Sequence, residues 1–360
     1  MPGINDKDSW ITDTGNERII QLTFEKFTMI LTKRTLLILF VFIQISYGYS
    51  VIKTKKSVAP ANSAVALNGK LQVIGTQLSN SKGEAIVLRG ASFGWHNLWP
   101  RFYNESAVAW LATDWKCNVV RASMGVGLDD SYLENPEYAM ECMKKVIDGS
   151  IKQGIYVLID FHSHKLHTAE ARTFFTDMAN KYKDTPNVIY EIWNEPDYYS
   201  WKVVKKYSED LISTIRSIDK DNIILVGSPH WDQDIDSVAG DPIVGQKNIM
   251  YTMHFYAGTH KKWLRDKTDA AIAIGIPIFI SECAGMDASG DGLIDQTEWT
   301  AYLDWMDVDK LSWIVWSVSD KNETCSMLLP RALSTGNWDD GLLKSWGKIC
   351  RISIRERNSN

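Results

Sequence analysis

From Ile86 onward the sequence repeats one unit: a short apolar run rich in Val, Ile and Leu, then a longer stretch with helical spacing. The runs are IVLRGASF (86–93), NVVRASM (118–124), IYVLIDF (155–161), VIYEIWN (188–194), IILVGS (223–228), NIMYTMHF (248–255), IPIFISE (276–282) and LSWIVWS (311–317). Helix-length segments such as 136–153 and 201–219 lie between most of them. Near-continuous aliphatic runs mark strands buried on both faces, the condition of a parallel sheet. Eight such units in about 270 residues predict an α/β chain folded as a (β/α)8 TIM barrel, a single catalytic-size domain. A doubly wound sheet would carry a glycine-rich phosphate loop after its first strand, and this chain has none there. Segment 71–88, with Gly75 and the turn Asn80-Ser81-Lys82-Gly83, predicts a hairpin that closes the bottom of the barrel.

Charge narrows the partners. Lys plus Arg total 39 against 44 Asp plus Glu, a net charge of −5, so no basic face is available for nucleic acid. Hydrophobic residues make up 45% of the 360, which excludes a disordered chain. Tryptophan is abundant at 15 residues, and position divides these rings. Trp95, Trp99, Trp193, Trp231 and Trp316 fall at or beside strand ends and suit stacking on a flat ligand. Trp110, Trp201, Trp299 and Trp305 fall in predicted helices and read as packing.

Near the N-terminus, Leu36 to Ile45 is apolar except for Gln44, with Lys33 and Arg34 before it and Ser46-Tyr47-Gly48 after it. It is shorter than the roughly 20 residues a membrane-spanning helix needs and has the layout of a secretory signal. We therefore expect an N-terminal extension plus signal peptide over 1–48, with translation starting at Met29, a linker over 49–64 and the barrel over 65–357. An uncleaved anchor is the other reading of that run. The expected product is a secreted, extracellular monomer with no membrane association in its mature form. Its five cysteines (Cys117, Cys142, Cys283, Cys325, Cys350) leave room for two disulfides and one thiol, with the pairing open. Asn104-Glu105-Ser106 and Asn322-Glu323-Thr324 fit the glycosylation pattern.

Polar residues gather at the strand C-termini, where barrel enzymes build their sites. Arg121 ends the second run, His162 follows the third, and Asn194-Glu195 ends the fourth. His254 and Tyr256 end the sixth, Glu282 the seventh, and Trp316 the eighth. Glu195 and Glu282 would then face each other across the mouth of the barrel. A facing pair of carboxyls is what glycosidic cleavage requires, one giving a proton to the leaving oxygen and the other attacking. The two must differ in protonation, so their surroundings must split their pKa values. Arg121, with tyrosine or histidine donors, would keep one charged, and desolvation would keep the other protonated.

Asn194-Glu195-Pro196 after the fourth strand, with Glu282 after the seventh, resembles glycoside hydrolase family 5, the cellulase family, and its subfamily 2. Further matching segments are GKLQVIGTQLSNSKGEAIVLRGASFGW (69–95), VVRASMGVG (119–127), VLIDFHSH (157–164), MHFYAGTH (253–260), ISECAGMDASGDG (280–292) and WSVSDKNET (316–324). The resemblance implies a retaining endo-β-1,4-glucanase acting on cellulose or a related β-glucan, with no cofactor and no metal. It implies Glu195 as general acid/base and Glu282 as nucleophile, with Asn194 on the sugar 2-hydroxyl. His254 and Tyr256 would orient the carboxylates, and Arg121 would keep Glu282 ionised. His162 and Trp316 would line the cleavage subsite, with His96, Lys321 and Glu323 as further substrate contacts. Two departures from the family pattern stand out: Cys283-Ala284 follows Glu282, and Phe161 precedes His162. A β-mannanase or a xyloglucan-active hydrolase is the rival within the family.

Two other patterns compete. Asp287 to Gly292, with Glu298 at the twelfth position, fits a calcium loop, although a strand rather than a helix precedes it. His162, His164 and His167, with His230, His254 and Asp320, outline a metal-dependent barrel hydrolase as the alternative chemistry.

Overall fold

Eight parallel strands close into a barrel in which the last strand pairs with the first, in the computed structural model, which describes residues 60–359. The signal peptide, the Met29 start and most of the 49–64 linker lie outside the described residues. Helix α1 (Ala64–Asn68) comes first, capped by Ser63. Strands β1 (Gln72–Ile74) and β2 (Gln77–Ser79) follow as an antiparallel hairpin turning at Gly75, whose φ is 61°. The hairpin lies at the bottom, as expected: Leu71 and Leu78 pack with Val119, Tyr156 and Leu158, and Val73 N–H donates to Asn248 Oδ1 at 3.0 Å.

The barrel strands are β3 (Arg89–Phe93), β4 (Val119–Gly125), β5 (Tyr156–His162), β6 (Val188–Glu191), β7 (Ile224–Val226), β8 (Ile249–Tyr256), β9 (Ile278–Ala284) and β10 (Trp313–Val318). Each falls on one of the eight apolar runs, and every residue of β4, β5 and β9 is buried. Closure brings β3 and β4 so close that a Cβ on Gly90 would stand 1.7 Å from the Val119 carbonyl oxygen. Glycine is required there for want of space.

Helices α2 (Glu105–Thr113), α3 (Pro136–Gln153), α4 (Thr168–Tyr182), α5 (Trp201–Ile218), α6 (Ile235–Gly240), α7 (Lys262–Ala273), α8 (Gln296–Val308) and α9 (Ser345–Asn358) form the outer layer. Their starts are written in the sequence. Asn104 Oδ1 accepts the Ala107 amide, and Asp295 Oδ1 accepts the Glu298 amide. Pro136 opens α3, and Gly154 closes it in the left-handed conformation at φ 67°. Among the described residues, no helix is long and apolar enough to cross a membrane.

Register then sets the site. Pairing of β8 with β9 places His254 opposite Glu282, and pairing of β5 with β6 places Asp160 opposite Glu191. All five cysteines are buried and free, so the expected disulfides do not form. All five lie in one hydrophobic core, where thiols pack as small apolar groups. Both family departures point away from the cleft. Phe161 packs on Tyr132 and Phe174, with ring centres 6.2 and 5.8 Å away, and Cys283 Sγ meets the Ile314 carbonyl at 3.4 Å.

Candidate active site

Arg121 is the hub at the top of the barrel. It is wholly buried and meets three carboxylates: Glu191 at 2.7 Å through Nε, Asp160 at 3.0 Å and Glu282 at 2.9 Å through its two Nη atoms. Its Nη2 also donates to Asn194 Oδ1. One guanidinium cannot neutralise three acids, so they divide. Burial pushes Asp160 well up against the pull of Arg121. Burial also pushes Glu191 up, but Arg121 and His254 together hold it at about 2.

Glu282 accepts from Arg121 Nη1 at 2.9 Å and from the Tyr256 hydroxyl at 2.7 Å. Glu195 Oε1 lies 2.9 Å from His254 Nδ1, and Glu195 Oε2 lies 3.4 Å from His164 Nδ1. One oxygen of Glu195 and one of Glu282 lie within 4.8 Å of each other and of a His254 ring nitrogen. The other His254 nitrogen, Nε2, is 2.8 Å from Ser281 Oγ and 3.4 Å from Asp232 Oδ2.

The free site reverses the expected order of the two glutamates. Burial and the facing Glu195 push Glu282 above the ordinary carboxylate value, against the pull of Arg121. Burial pushes Glu195 up too, yet the His254 hydrogen bond and charge outweigh it and hold Glu195 below that value. His254 is charged for a local reason. Burial disfavours its proton, but Asp232, Glu191 and Glu195 surround it and raise it well above the usual histidine value.

A cleft of about 480 Å³ opens over these groups, lined by Glu195, His254, Tyr256, His164, Trp231 and Gln233 among others. Beside it His162 stacks on Trp316 with ring centres 5.2 Å apart at 14°. Burial and Arg121 keep His162 neutral, and its Nδ1 is 2.7 Å from Asp160 Oδ2. Asn194 is buried with its Nδ2 unpaired, a free donor at the level of the two glutamates. Arg121, His162, Asn194, Glu195, His254, Tyr256, Glu282 and Trp316 thus converge.

Three placements differ from the sequence reading. His96 is fully buried, and its Nδ1 accepts the Gly125 amide at 3.0 Å, so it braces the end of β4 and does not face the cleft. Burial lowers it to about 4, which keeps it a neutral acceptor. Trp193 is enclosed between Tyr199 and Tyr207, with ring centres 5.2 and 4.7 Å away, so it belongs to the core and not to a stacking surface. Lys321 and Glu323 form an ion pair with each other, and Glu323 lines a separate recess with Asp291, Lys344 and Trp346.

The competing metal patterns are not assembled. Asp291 Oδ1 accepts from the Thr324 hydroxyl and amide, Asp295 pairs with Lys261, and Glu298 pairs with Arg265, so three of the four acids of the 287–298 loop are already engaged, Asp287 being the fourth. Among the histidine set, His162 is committed to Asp160, His230 to Asp234, and Asp320 to Arg101. Sequence reasoning missed Glu191 and Asp232 and read His164 only as a metal ligand. An acid inside an otherwise aliphatic run was the available signal for Glu191.

Comparison with known proteins agrees with this geometry. The cellulase family, glycosyl hydrolase family 5, matches residues 79–322. Endoglucanase Z of Dickeya dadantii is 37% identical over 306 residues, covering 83% of this chain and 71% of that protein. A solved structure from Cytophaga hutchinsonii has a TM-score of 0.81 and 42% identity, covering 83% of this chain and 98% of that one. The catalytic domain of Thermobifida fusca endoglucanase Cel5A, solved in complex with cellotetraose, has a TM-score of 0.78 and 32% identity, covering 82% of this chain and all of that domain.

Proposed function

The chain belongs to glycosyl hydrolase family 5, the cellulases, and on that premise we propose that Glu282 is its nucleophile and Glu195 its general acid/base. The protein is an endo-β-1,4-glucanase that cleaves internal glucosidic bonds with retention. The single observation that carries the residue assignment is the separation of the two carboxylates, with oxygens within 4.8 Å. Direct attack by a carboxylate needs about 5 Å between the groups, whereas interposing a water needs about 6.5 Å or more.

The donors around each acid support the roles. Arg121 and Tyr256 hold Glu282 by both oxygens, which aims it and stabilises its charge. Glu195 shares a proton with His254 across 2.9 Å. A sugar ring filling the cleft removes water from that pair, and a drier surrounding favours the neutral form over the ion pair. The proton then sits on Glu195. Neutral Glu195 no longer repels a charge on Glu282, so the order of the free site inverts to the one the reaction needs.

Glu195 protonates the glycosidic oxygen while Glu282 attacks the anomeric carbon; the C–O bond to the leaving chain breaks and a glycosyl ester forms. Glu195, now a carboxylate, takes a proton from water, and the hydroxyl attacks the same carbon and releases Glu282. The unpaired Asn194 Nδ2 is available to the 2-hydroxyl, and Trp231, which lines the cleft, offers a flat face to a sugar ring. We further propose that residues 1–48 direct the chain out of the cell, that 49–64 is a linker, and that 65–357 acts as a monomeric catalytic domain.

The test is reducing-sugar release from carboxymethylcellulose, mannan and xyloglucan, with Glu282→Gln as control. The assignment requires highest activity on carboxymethylcellulose and a loss of several orders of magnitude in the variant. Comparable activity of Glu282→Gln would refute the nucleophile, and preference for mannan would move the substrate.

A further inference from the structure

Asp232 is a buried carboxylate that the reaction as described does not use. It ends the turn that follows β7, is fully buried, and its Oδ1 accepts the Ser228 amide. Its Oδ2 has no hydrogen-bond partner and stands 3.4 Å from His254 Nε2. His230, Trp231 and Asp232 have φ of 57°, 53° and 61°, three consecutive residues in the left-handed region. That backbone is unfavourable for residues with a Cβ, and it is where strain concentrates at functional sites. The turn sends Trp231 into the cleft and Asp232 inward behind His254. It is also packed tightly on the Glu195 loop: a Cβ on Gly227 would lie 2.7 Å from the Trp193 carbonyl oxygen and 2.9 Å from Pro196 Cδ.

We propose that Asp232 is a positioning residue for the acid/base: Asp232, His254 and Glu195 form a carboxylate–imidazole–carboxylate chain, in which Asp232 anchors and charges His254 and thereby sets the pH at which Glu195 carries its proton. The inference rests on the assignment of Glu195 made above.

The neighbours of His254 show why Asp232 has this part. Nδ1 faces Glu195, while Nε2 faces Ser281 Oγ at 2.8 Å, Asp232 at 3.4 Å and Glu191 at 3.8 Å. Glu282 on β9 is also close, and Arg121, Asp160, His162 and His260 act from further around the barrel. Glu191 already has both oxygens on Arg121. Asp232 has only His254: among the described residues, no other cationic group lies within 4 Å of it. Burial pushes the Asp232 carboxyl well up against the pull of His254, while at His254 burial is outweighed, Asp232 being the largest of the acids that raise it.

The sign follows from the chain. The His254–Glu195 pair carries one proton between its two groups, and the Asp232 charge holds that proton on the pair to higher pH. Removing the Asp232 charge weakens that hold, so the pair, and with it Glu195, loses the proton at lower pH.

Asp232→Asn is the probe, because asparagine keeps the Oδ1 acceptor for Ser228 and tolerates a left-handed backbone. Asp232→Ser is the second variant. The pH dependence of kcat/KM on cellotetraose should show the alkaline limb moved down by about one unit and the acidic limb by less than half of that. With 2,4-dinitrophenyl β-cellobioside, whose leaving group departs without a proton, variant and parent should coincide on the alkaline side. NMR titration of the His254 ring should show its pKa lowered in the variant, a readout that survives low activity. An unmoved alkaline limb in folded variants, an unmoved His254 titration, or an equal shift with the dinitrophenyl substrate would overturn the proposal. Full activity of Glu282→Gln would instead overturn the underlying site assignment. An unmoved limb beside an inactive Glu282→Gln would remove only the role of Asp232.

Discussion

Arg121 Nη1 donates to Glu282 Oε2 at 2.9 Å, and no water-exposed surface remains on the guanidinium. The same side chain holds Asp160 and Glu191, so Glu282, the proposed nucleophile, is tied to the structural centre of the barrel. Arg121→Leu keeps the volume and leaves three buried acids without their cation. Breaking a buried pair from one side costs about 3–5 kcal/mol. Denaturant unfolding of Arg121→Leu should show at least that loss, or no folded protein. A melting temperature within about 2 °C of the parent would refute the hub role.

Tyr256 gives its hydroxyl to Glu282 Oε1 at 2.7 Å. A donor to the charged form lowers a carboxyl pKa, so Tyr256→Phe should raise that of Glu282 above its already raised value. In the proposed role of nucleophile, Glu282 must be charged to attack. The acidic limb of kcat/KM should therefore move to higher pH by about half a unit to one unit, and kcat should fall about tenfold or more. A pH–rate profile superimposable on that of the parent would contradict this.

How much of this was written in the sequence depends on which force places each residue. The strands were legible because burial on both faces selects mainly aliphatic residues, and β4, β5 and β9 are buried throughout, with the site's Arg121, His162 and Glu282 among their polar exceptions. Glu195 and Glu282 were legible because a strand-end acid in such a chain has few other uses. His96 misled because sequence gives distance from a strand end but not direction, and its ring turns back onto the Gly125 amide. Trp193 misled for the same reason, lying one residue from Asn194 yet facing Tyr207 in the helix layer. Asp232 was illegible because three left-handed residues bring it inward, and no local pattern announces such a turn. The inverted acidities were also out of reach, since they depend on His254 meeting Asp232, Glu191 and Glu195, which lie on separate segments.

Barrel closure makes its own prediction. A methyl at residue 90 would collide with backbone at the Val119 carbonyl, which no rotamer change can relieve. Gly90→Ala should cost at least the 1–3 kcal/mol typical of overpacking. Thermal melting reads this directly. An unshifted midpoint would mean that β3 and β4 separate at no cost.

The thiols offer a simple count. With five buried free cysteines, the native protein should react with none of the thiol reagent DTNB, and the denatured protein with five equivalents. Added reductant should leave the melting temperature where it is. A denatured count of three or one would show that disulfides form after all.

The central claim is that Glu282 becomes covalently bound to the sugar, with Glu195 handling the protons. A 2-deoxy-2-fluoro-β-cellobioside with a dinitrophenyl leaving group slows the second step and lets the glycosyl-enzyme accumulate. Mass spectrometry of the proteolysed adduct should then find the fluorosugar on the peptide containing Ile280-Ser281-Glu282-Cys283. An adduct on Glu195, or full turnover with no adduct at any time, would contradict the account.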